Sequence, residues 1–501
     1  MISAELTELF SHYVEEHLGL HFPKDRAEDL ERALFQVSAD LGFQDPEACI
    51  RTFLASSAIR VQQLEVLASY LTVGETYFFR DKRSFDILRD QILPDLISAR
   101  RQTGRILRIW SAGCATGEEP YSMAILLRSL LPDFQEWNIS IIGTDINPAF
   151  LRKAAKGIYG EWSFRDVPSW VKEGFFIKRG KGHFELRPEI RKCVNFFYHN
   201  LAEDVYPSLT NGTNAIDIIF CRNVLMYFAE SGRRRSIGKF YQCLVDGGWL
   251  ILSPVETFAA PVPCLKPLSA GSHLYRKASA ECEKPEGKAP GPLPSGMPAE
   301  DSRPEQVVHP GAHPFPPLAG ISVPPAVPGR ISMAEEDPYA MALELCRRGA
   351  YAQAEAKLVP LAGEKNNNGA ALALLARIYA NRGRLPEALE FCQRAIKADR
   401  LNPVYQYLLS TIQLEMGLED ESKTSLGRTL YLDPDFALAH FASGNLARRR
   451  GMKKEAARHF KNALSVLRSY GPGDMVPESG GITAGRLVEI ISRTLQEEAS
   501  E

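Results

Sequence analysis

The sequence predicts an α/β protein with a doubly wound sheet, preceded by a helical segment and followed by an all-α repeat array. Three observations predict this. First, the short apolar runs ILRIWSA, ISIIGTD, AIDIIFC and GGWLILS each end in turn residues. Helical segments such as YSMAILLRSLL and RRRSIGKFYQCLV separate several of them, the alternation of a mostly parallel sheet. Second, apolar residues upstream recur at helical spacing: Leu6, Leu9, Phe10, Tyr13 and Val14, then Leu30, Ala33, Leu34 and Val37. Third, Gly349, Gly383, Gly417 and Gly451 stand 34 residues apart in the last third, a helix-turn-helix period.

In chain order, residues 1–90 are expected to be a helical N-terminal domain and 91–277 the α/β domain. Within the latter, the short hairpin-like runs over about 174–198 suggest a small antiparallel β insertion, and HLYRK (273–277) a last edge strand. Residues 278–335 are too rich in proline and glycine to pack, and are expected to form a linker. Residues 336–501 carry the repeats. Ala354, Ala388, Ser422 and Ala456 follow the four glycines by five residues, and Leu361, Ala395, Thr429 and Ala463 by twelve. Small residues at fixed offsets let paired helices cross closely, as in tetratricopeptide repeats. LVEIISRTLQ (487–496) reads as part of a capping helix.

A chain of 501 residues calls for two or three domains. A formal net charge of −2 removes any global electrostatic case for nucleic acid or an acidic membrane as partner. Nine cysteines without a CxxC pair suit reduced thiols, which points to the cytoplasm. The ten histidines form no metal-ligand cluster, so no metal is expected. MISAELTELFSHYVEEHLGL lacks the apolar core of a leader, and no segment reads as an integral membrane span.

The chemistry is carried by RIWSAGCATGEEPY (108–121). A glycine loop between strand and helix gathers backbone N–H groups and favours anions. Here it lacks the Gly-Lys-Ser/Thr ending of a P-loop and runs into Glu118 and Glu119. Carboxylates repel pyrophosphate but accept hydrogen bonds from ribose hydroxyls and balance a cation. S-adenosylmethionine meets both conditions, having a sulfonium and no phosphate. Glu119 reads equally well as a first-turn helix acid. Asp145 ends the next strand, where an acid can hold ribose hydroxyls. Cys221-Arg222-Asn223 ends another strand at the sheet's carboxyl edge. Cys114 and Cys221 read as buried thiols.

LTVGETYFFR (71–80), RIWSAGCATGEEPYS (108–122), TDIN (144–147), NFFYHNL (195–201) and FCRNVLMYF (220–228), in this order, resemble the CheR-type chemotaxis-receptor methyltransferases. The resemblance covers about residues 1–277. It implies a class I methyltransferase fold and a protein-glutamate O-methyltransferase that uses S-adenosylmethionine and releases S-adenosylhomocysteine. It implies cofactor binding by Thr76, Arg80, Glu118, Asp145, Asn200, Leu201, Arg222 and Asn223, and catalytic roles for Arg80 and Tyr227. The partner implied is the cytoplasmic domain of a methyl-accepting chemoreceptor, with a further protein partner for the repeats. Gly74 stands where some relatives carry an asparagine. DRAEDLERALFQ is more acidic than the receptor-reading helix of the best-known relatives, and KRGKGHF is more compact than the loop of relatives that tether to a receptor's C-terminus. Two other classes stay open: a class I methyltransferase of another protein or small molecule, and a signalling scaffold that binds the cofactor without turnover.

Overall fold

The computed structural model describes residues 2–55, 61–102, 104–180, 182–202, 206–208, 211–256, 264–269, 271–278, 337–347, 350–363, 368–479 and 482–500. The expected linker, Ala278 apart, and Gly349 of the first repeat lie outside the described residues. The strands in chain order are β1 Ile106–Ala112, β2 Asn138–Asp145, β3 Ile158–Gly160, β4 Phe176–Arg179, β5 His183–Leu186, β6 Val194–Tyr198, β7 Ile216–Phe220, β8 Leu244–Ile251, β9 Leu265–Pro267 and β10 Leu274–Lys277.

A seven-stranded sheet has the order β6-β2-β1-β7-β8-β10-β9. Its first five strands are parallel, β10 runs antiparallel to β8, and β9 pairs antiparallel with β10. Both faces of β1 and β7 are covered, so these strands are apolar almost throughout. The chain winds outward from β1 to β2 and on to β6, then returns to place β7 on the other side of β1. Such a switch point opens a crevice at the carboxyl ends of the strands.

A second sheet, β3-β5-β4, is antiparallel. It differs from the insertion expected over about 174–198 at both ends. Residues 158–160 join it as β3, and β6, which opens NFFYHNL, pairs parallel with β2 as an edge of the main sheet. A short alternating run carries no mark of whether its partner is a neighbour or a distant strand. HLYRK likewise supplies β10, an inner strand; the edge falls to β9, three residues long and too short to signal itself.

Upstream, helices Ala4–Leu18, Ala27–Asp40, Pro46–Ala55 and Val61–Leu71 share one core with the sheet, Phe10, Leu30 and Leu34 joining Trp110 and Phe240. Leu9, expected on the buried face, is half exposed. The last third holds helix pairs Pro338–Arg347/Tyr351–Leu358, Gly369–Asn381/Leu385–Ala398, Pro403–Glu415/Glu419–Leu432 and Ala437–Arg449/Lys453–Leu467, then a closing helix Ala484–Ser500. Gly383 turns between two paired helices at φ +73°, a left-handed conformation that glycine adopts without strain. Ala354, Ala388, Ser422 and Ala456 are buried, and the helices of each pair pack on one another.

Candidate active site

The crevice is built from four stretches of chain. After β1 the chain turns sharply, and the N–H groups of Gly113 and Cys114 both donate to the Thr144 carbonyl, at 2.8 and 2.9 Å. Gly113 has φ +80°, and a Cβ there would lie 2.3 Å from Val224 Cγ2. The loop can approach the strand end of β7 only with glycine at this point.

Helix Glu118–Leu130 then begins, and its two leading acids part company. Glu118 turns inward: its carboxyl accepts from Thr116 Oγ1 at 2.6 Å and Ser163 Oγ at 2.9 Å, and it is 1% exposed. It does not line the crevice, contrary to its expected contact with cofactor. Glu119 does line it. Its carboxylate accepts from Ser111 Oγ at 2.7 Å and from Arg222 Nη1 at 3.3 Å. Burial raises the Glu119 carboxyl above its ordinary range, against the pull of Arg222 and Ser111. Two adjacent helical residues point about 100° apart, so only one of the pair could face the ligand, and the sequence did not say which.

Asp145 closes β2 in the crevice. One oxygen accepts from the Ala115 N–H at 2.9 Å, the other from the Asn147 N–H at 2.8 Å. Burial lifts its carboxyl to about 6, and the backbone donors moderate the shift. Asn147 caps the following helix through Ala149 and Phe150 and donates to Thr72 Oγ1 at 2.9 Å. It thereby ties β2 to the segment Leu71–Arg80.

That segment supplies the outer wall, including Thr76 and Arg80. Phe78 is fully buried among Tyr159, Phe164 and Phe176, and its N–H donates to Ser163 at 2.9 Å. Phe79 has φ +55° and donates its N–H to Ser122 Oγ at 2.9 Å. The two phenylalanines of TYFFR anchor the chain and deliver Arg80 to the crevice. Arg80 Nη1 donates to the Glu75 carbonyl at 2.5 Å. Gly74 has a packing reason: a Cβ there would meet the Phe150 ring at 2.6 Å.

The last stretch joins the ends of β6 and β7. Asn200 donates to the His17 carbonyl at 2.6 Å, and Leu201 is buried beside it. Arg222 is held by three partners: the Arg80 carbonyl at 2.8 Å, Glu119 at 3.3 Å and Asp81 at 3.5 Å. Burial opposes ionisation of Asp81, but hydrogen bonds with His273 and Ser84 outweigh it and hold this carboxyl down at about 2. Asn223 (φ +59°), Val224 and Met226 direct their N–H groups at the buried Glu256 carboxylate, at 2.8, 2.8 and 3.1 Å. Tyr227 lines the crevice mouth, and its carbonyl accepts from the His21 N–H at 2.7 Å.

Thr76, Arg80, Asp145, Asn200, Leu201, Arg222, Asn223 and Tyr227 therefore line one crevice, with Glu119 in the place expected of Glu118. Sequence reasoning missed Glu256, Asp81, Phe150 and His199. Asp81 directly follows Arg80 and had a positional signal; Glu256 lies in SPVE after β8, outside any run that reads as a site. Among the described residues, no lysine lines the crevice. Two buried polar atoms on its wall, Arg222 Nε and His199 Nε2, have no hydrogen-bond partner. Acceptor carboxylates for hydroxyls and apolar walls at Val73 and Phe150 fit a nucleoside with a cationic centre.

Comparison with known proteins agrees. The family described as CheR methyltransferase, SAM-binding domain, matches residues 74–265, and a tetratricopeptide repeat family matches 345–412. Chemotaxis protein methyltransferase 2 of Vibrio cholerae is 32% identical over 253 residues, 50% of this chain and 84% of that protein. The chemotaxis protein methyltransferase of Borreliella burgdorferi is 30% identical over 50% of this chain and 88% of its own length. Chemotaxis protein methyltransferase 1 of Pseudomonas aeruginosa is 34% identical over 38% of this chain and 69% of its own length.

Proposed function

The chain belongs to the CheR family of chemotaxis methyltransferases, and from that premise we propose that it forms methyl esters on glutamate side chains of methyl-accepting chemoreceptors. The observation that carries the reading is the crevice itself. Two carboxylates, Glu119 and Asp145, sit deep in it, and Arg80 and Tyr227 join them on its wall.

Bound there, S-adenosylmethionine supplies a methyl group made electrophilic by its sulfonium. Asp145 would accept from its ribose hydroxyls, and Glu119 would offset its positive charge. Asn200, Leu201, Arg222 and Asn223 complete the wall around the nucleoside, and Thr76 closes it from the outer segment. A glutamate side chain is already ionised near neutral pH, so no general base is required. What remains for the protein is to bring the carboxylate into line and keep water from it. Arg80 is suited to orient the acceptor, because its guanidinium lines the crevice and a carbonyl, that of Glu75, holds its Nη1. Tyr227 shapes the entrance. With the acceptor carboxylate already ionised, these residues would have no proton to move.

The repeats recruit a protein partner that brings receptor and enzyme together. Recruitment of this kind raises local substrate concentration without new contacts at the site. The test is transfer of labelled methyl by the full chain to receptor-containing membranes. The expected product is alkali-labile label, released as methanol, on a receptor band. Alkali-stable label, or none from a protein that binds the cofactor, would overturn the glutamate assignment.

A further inference from the structure

The repeat helices do not stand apart from the sheet. The turn edges of successive helix pairs meet its amino-terminal edge in spatial order. At the second turn, a Cβ on Gly383 would lie 3.1 Å from Val245 and 3.5 Å from Ala215, and Arg382 pairs with Asp246 at 3.4 Å. At the third, Glu415 forms an ion pair with Arg108 of β1 and its carbonyl accepts from Asn138 of β2 at 3.5 Å. Repeat by repeat the contacts step from β8 through β7 and β1 to β2. The closing helix then reaches β6, the edge strand.

There the contact arrives at the crevice. The Arg486 guanidinium lies 3.8 Å over the Tyr198 ring and is braced by Glu489 at 2.6 Å. Burial, and after it the neighbouring Glu65 on the helix that leads into Leu71–Arg80, raise the Glu489 carboxyl against the pull of Arg486. Tyr198 is the register partner of Asp145 across β2 and β6. His199, the next residue, donates its N–H to the Asp145 carbonyl at 3.1 Å and lines the crevice. The Asp145 wall of the crevice is thus gripped by one helix of the repeat domain through Tyr198.

We propose that helix Ala484–Ser500 is an outer buttress of the cofactor crevice, with Arg486 a positioning residue that fixes Tyr198 and through it Asp145, so that cofactor affinity depends on the docked repeat domain. The proposal rests on reading the crevice as the S-adenosylmethionine site. It makes the repeat array part of the enzyme's binding apparatus as well as a recruiting arm. A partner that shifts the array would change cofactor occupancy.

The experiment uses the full chain and calorimetric binding of S-adenosylhomocysteine, with the cofactor KM and kcat read beside it. Arg486→Ala should weaken binding about threefold to tenfold, the range expected for a partly screened cation–π contact, and raise KM while leaving kcat. Arg486→Lys, which keeps a cation over the ring, should restore most of it. Tyr198→Leu should match Arg486→Ala, and the double variant should lose no more than either alone. Should Arg486→Ala not fold, Glu415→Arg tests the same docking at the far end, where the same loss of affinity is expected. Affinity within twofold of the unsubstituted chain in the folded variants would overturn the proposal. Failure of the unsubstituted chain to bind would overturn the cofactor reading and this one with it.

Discussion

Cofactor affinity should fall as the medium is acidified, because Asp145 must be ionised to accept from ribose hydroxyls. In the unliganded protein its carboxyl is lifted to about 6, burial outweighing the N–H groups of Asn147 and Ala115. A ligand that hydrogen-bonds the carboxylate favours the charged form, so binding is full above about pH 7 and is lost as pH falls through 6. At pH 5 roughly one carboxyl in eleven is ionised, which is about a tenfold loss in affinity. Stability runs the opposite way. A carboxyl whose folded value lies above its unfolded value holds the proton more tightly in the fold, so this group makes the unliganded protein more stable as pH drops from 7 toward 4. Titration of S-adenosylhomocysteine between pH 5 and 8, with unfolding followed in the same buffers, separates the two signs. Asp145→Asn should bind more weakly at pH 7.5 and show a shallower dependence on pH, the part left to Glu119, whose carboxyl burial also raises. Flat affinity in the unsubstituted protein, or an unchanged slope in Asp145→Asn, would refute the reasoning.

Three other outcomes follow from the same geometry. Glu119→Gln should weaken cofactor binding several-fold, whereas Glu118→Gln, whose side chain bonds only Thr116, Ser163 and neighbouring backbone, should lower the melting temperature with little effect on affinity; the reverse pattern would return the cofactor role to Glu118. Arg80→Ala should lower kcat at least tenfold while S-adenosylhomocysteine binding changes less than threefold, and equal losses in both would make Arg80 a cofactor ligand alone. Glu256→Gln faces a side-chain NH2 toward backbone donors and should cost about 2–4 kcal/mol of stability, hydrogen bonds to a charged group being the stronger kind, with loss of cofactor binding as residues 223–226 relax; an unaltered denaturation midpoint would remove Glu256 from this role.

Much of the architecture was legible because its signals are local. The apolar runs of β1, β2, β7 and β8 are strands because both faces are buried, and such burial needs no knowledge of the partner. The repeat period was legible because Gly383, Gly417 and Gly451 turn left-handed after the first helix of their pairs. What escaped reading depends on distant pairing. The residues of β6 alternate as a hairpin strand would, yet lie beside β2 because Gly143 leaves room for Phe196, 2.6 Å from where a Cβ would be. The choice between Glu118 and Glu119 turns on which side of the helix faces β1, settled by Ser163 from the chain before β4. Glu256 binds three N–H groups some thirty residues upstream, a cradle that composition cannot announce.

The crevice draws its polar groups from separated parts of the chain, and their coupling bears on how acceptor and cofactor are matched. Arg222 is the shared node. It touches Glu119 on the cofactor side and the Arg80 carbonyl on the acceptor side, and Asp81 holds it from behind. Asp81 stays ionised down to about pH 2 because His273 and Ser84 donate to it against the cost of burial. Asp81 therefore keeps its charge across the range in which Asp145 changes its own, while Glu119, raised by burial, is the carboxyl of the node on the cofactor side. The orientation of Arg80 should then be insensitive to pH while cofactor affinity is not. On this account acid reduces turnover by emptying the crevice, so saturating S-adenosylmethionine should restore the rate at pH 5.5. A rate that stays low at saturation would place the titrating group on the acceptor side, in the Arg80–Arg222 network itself.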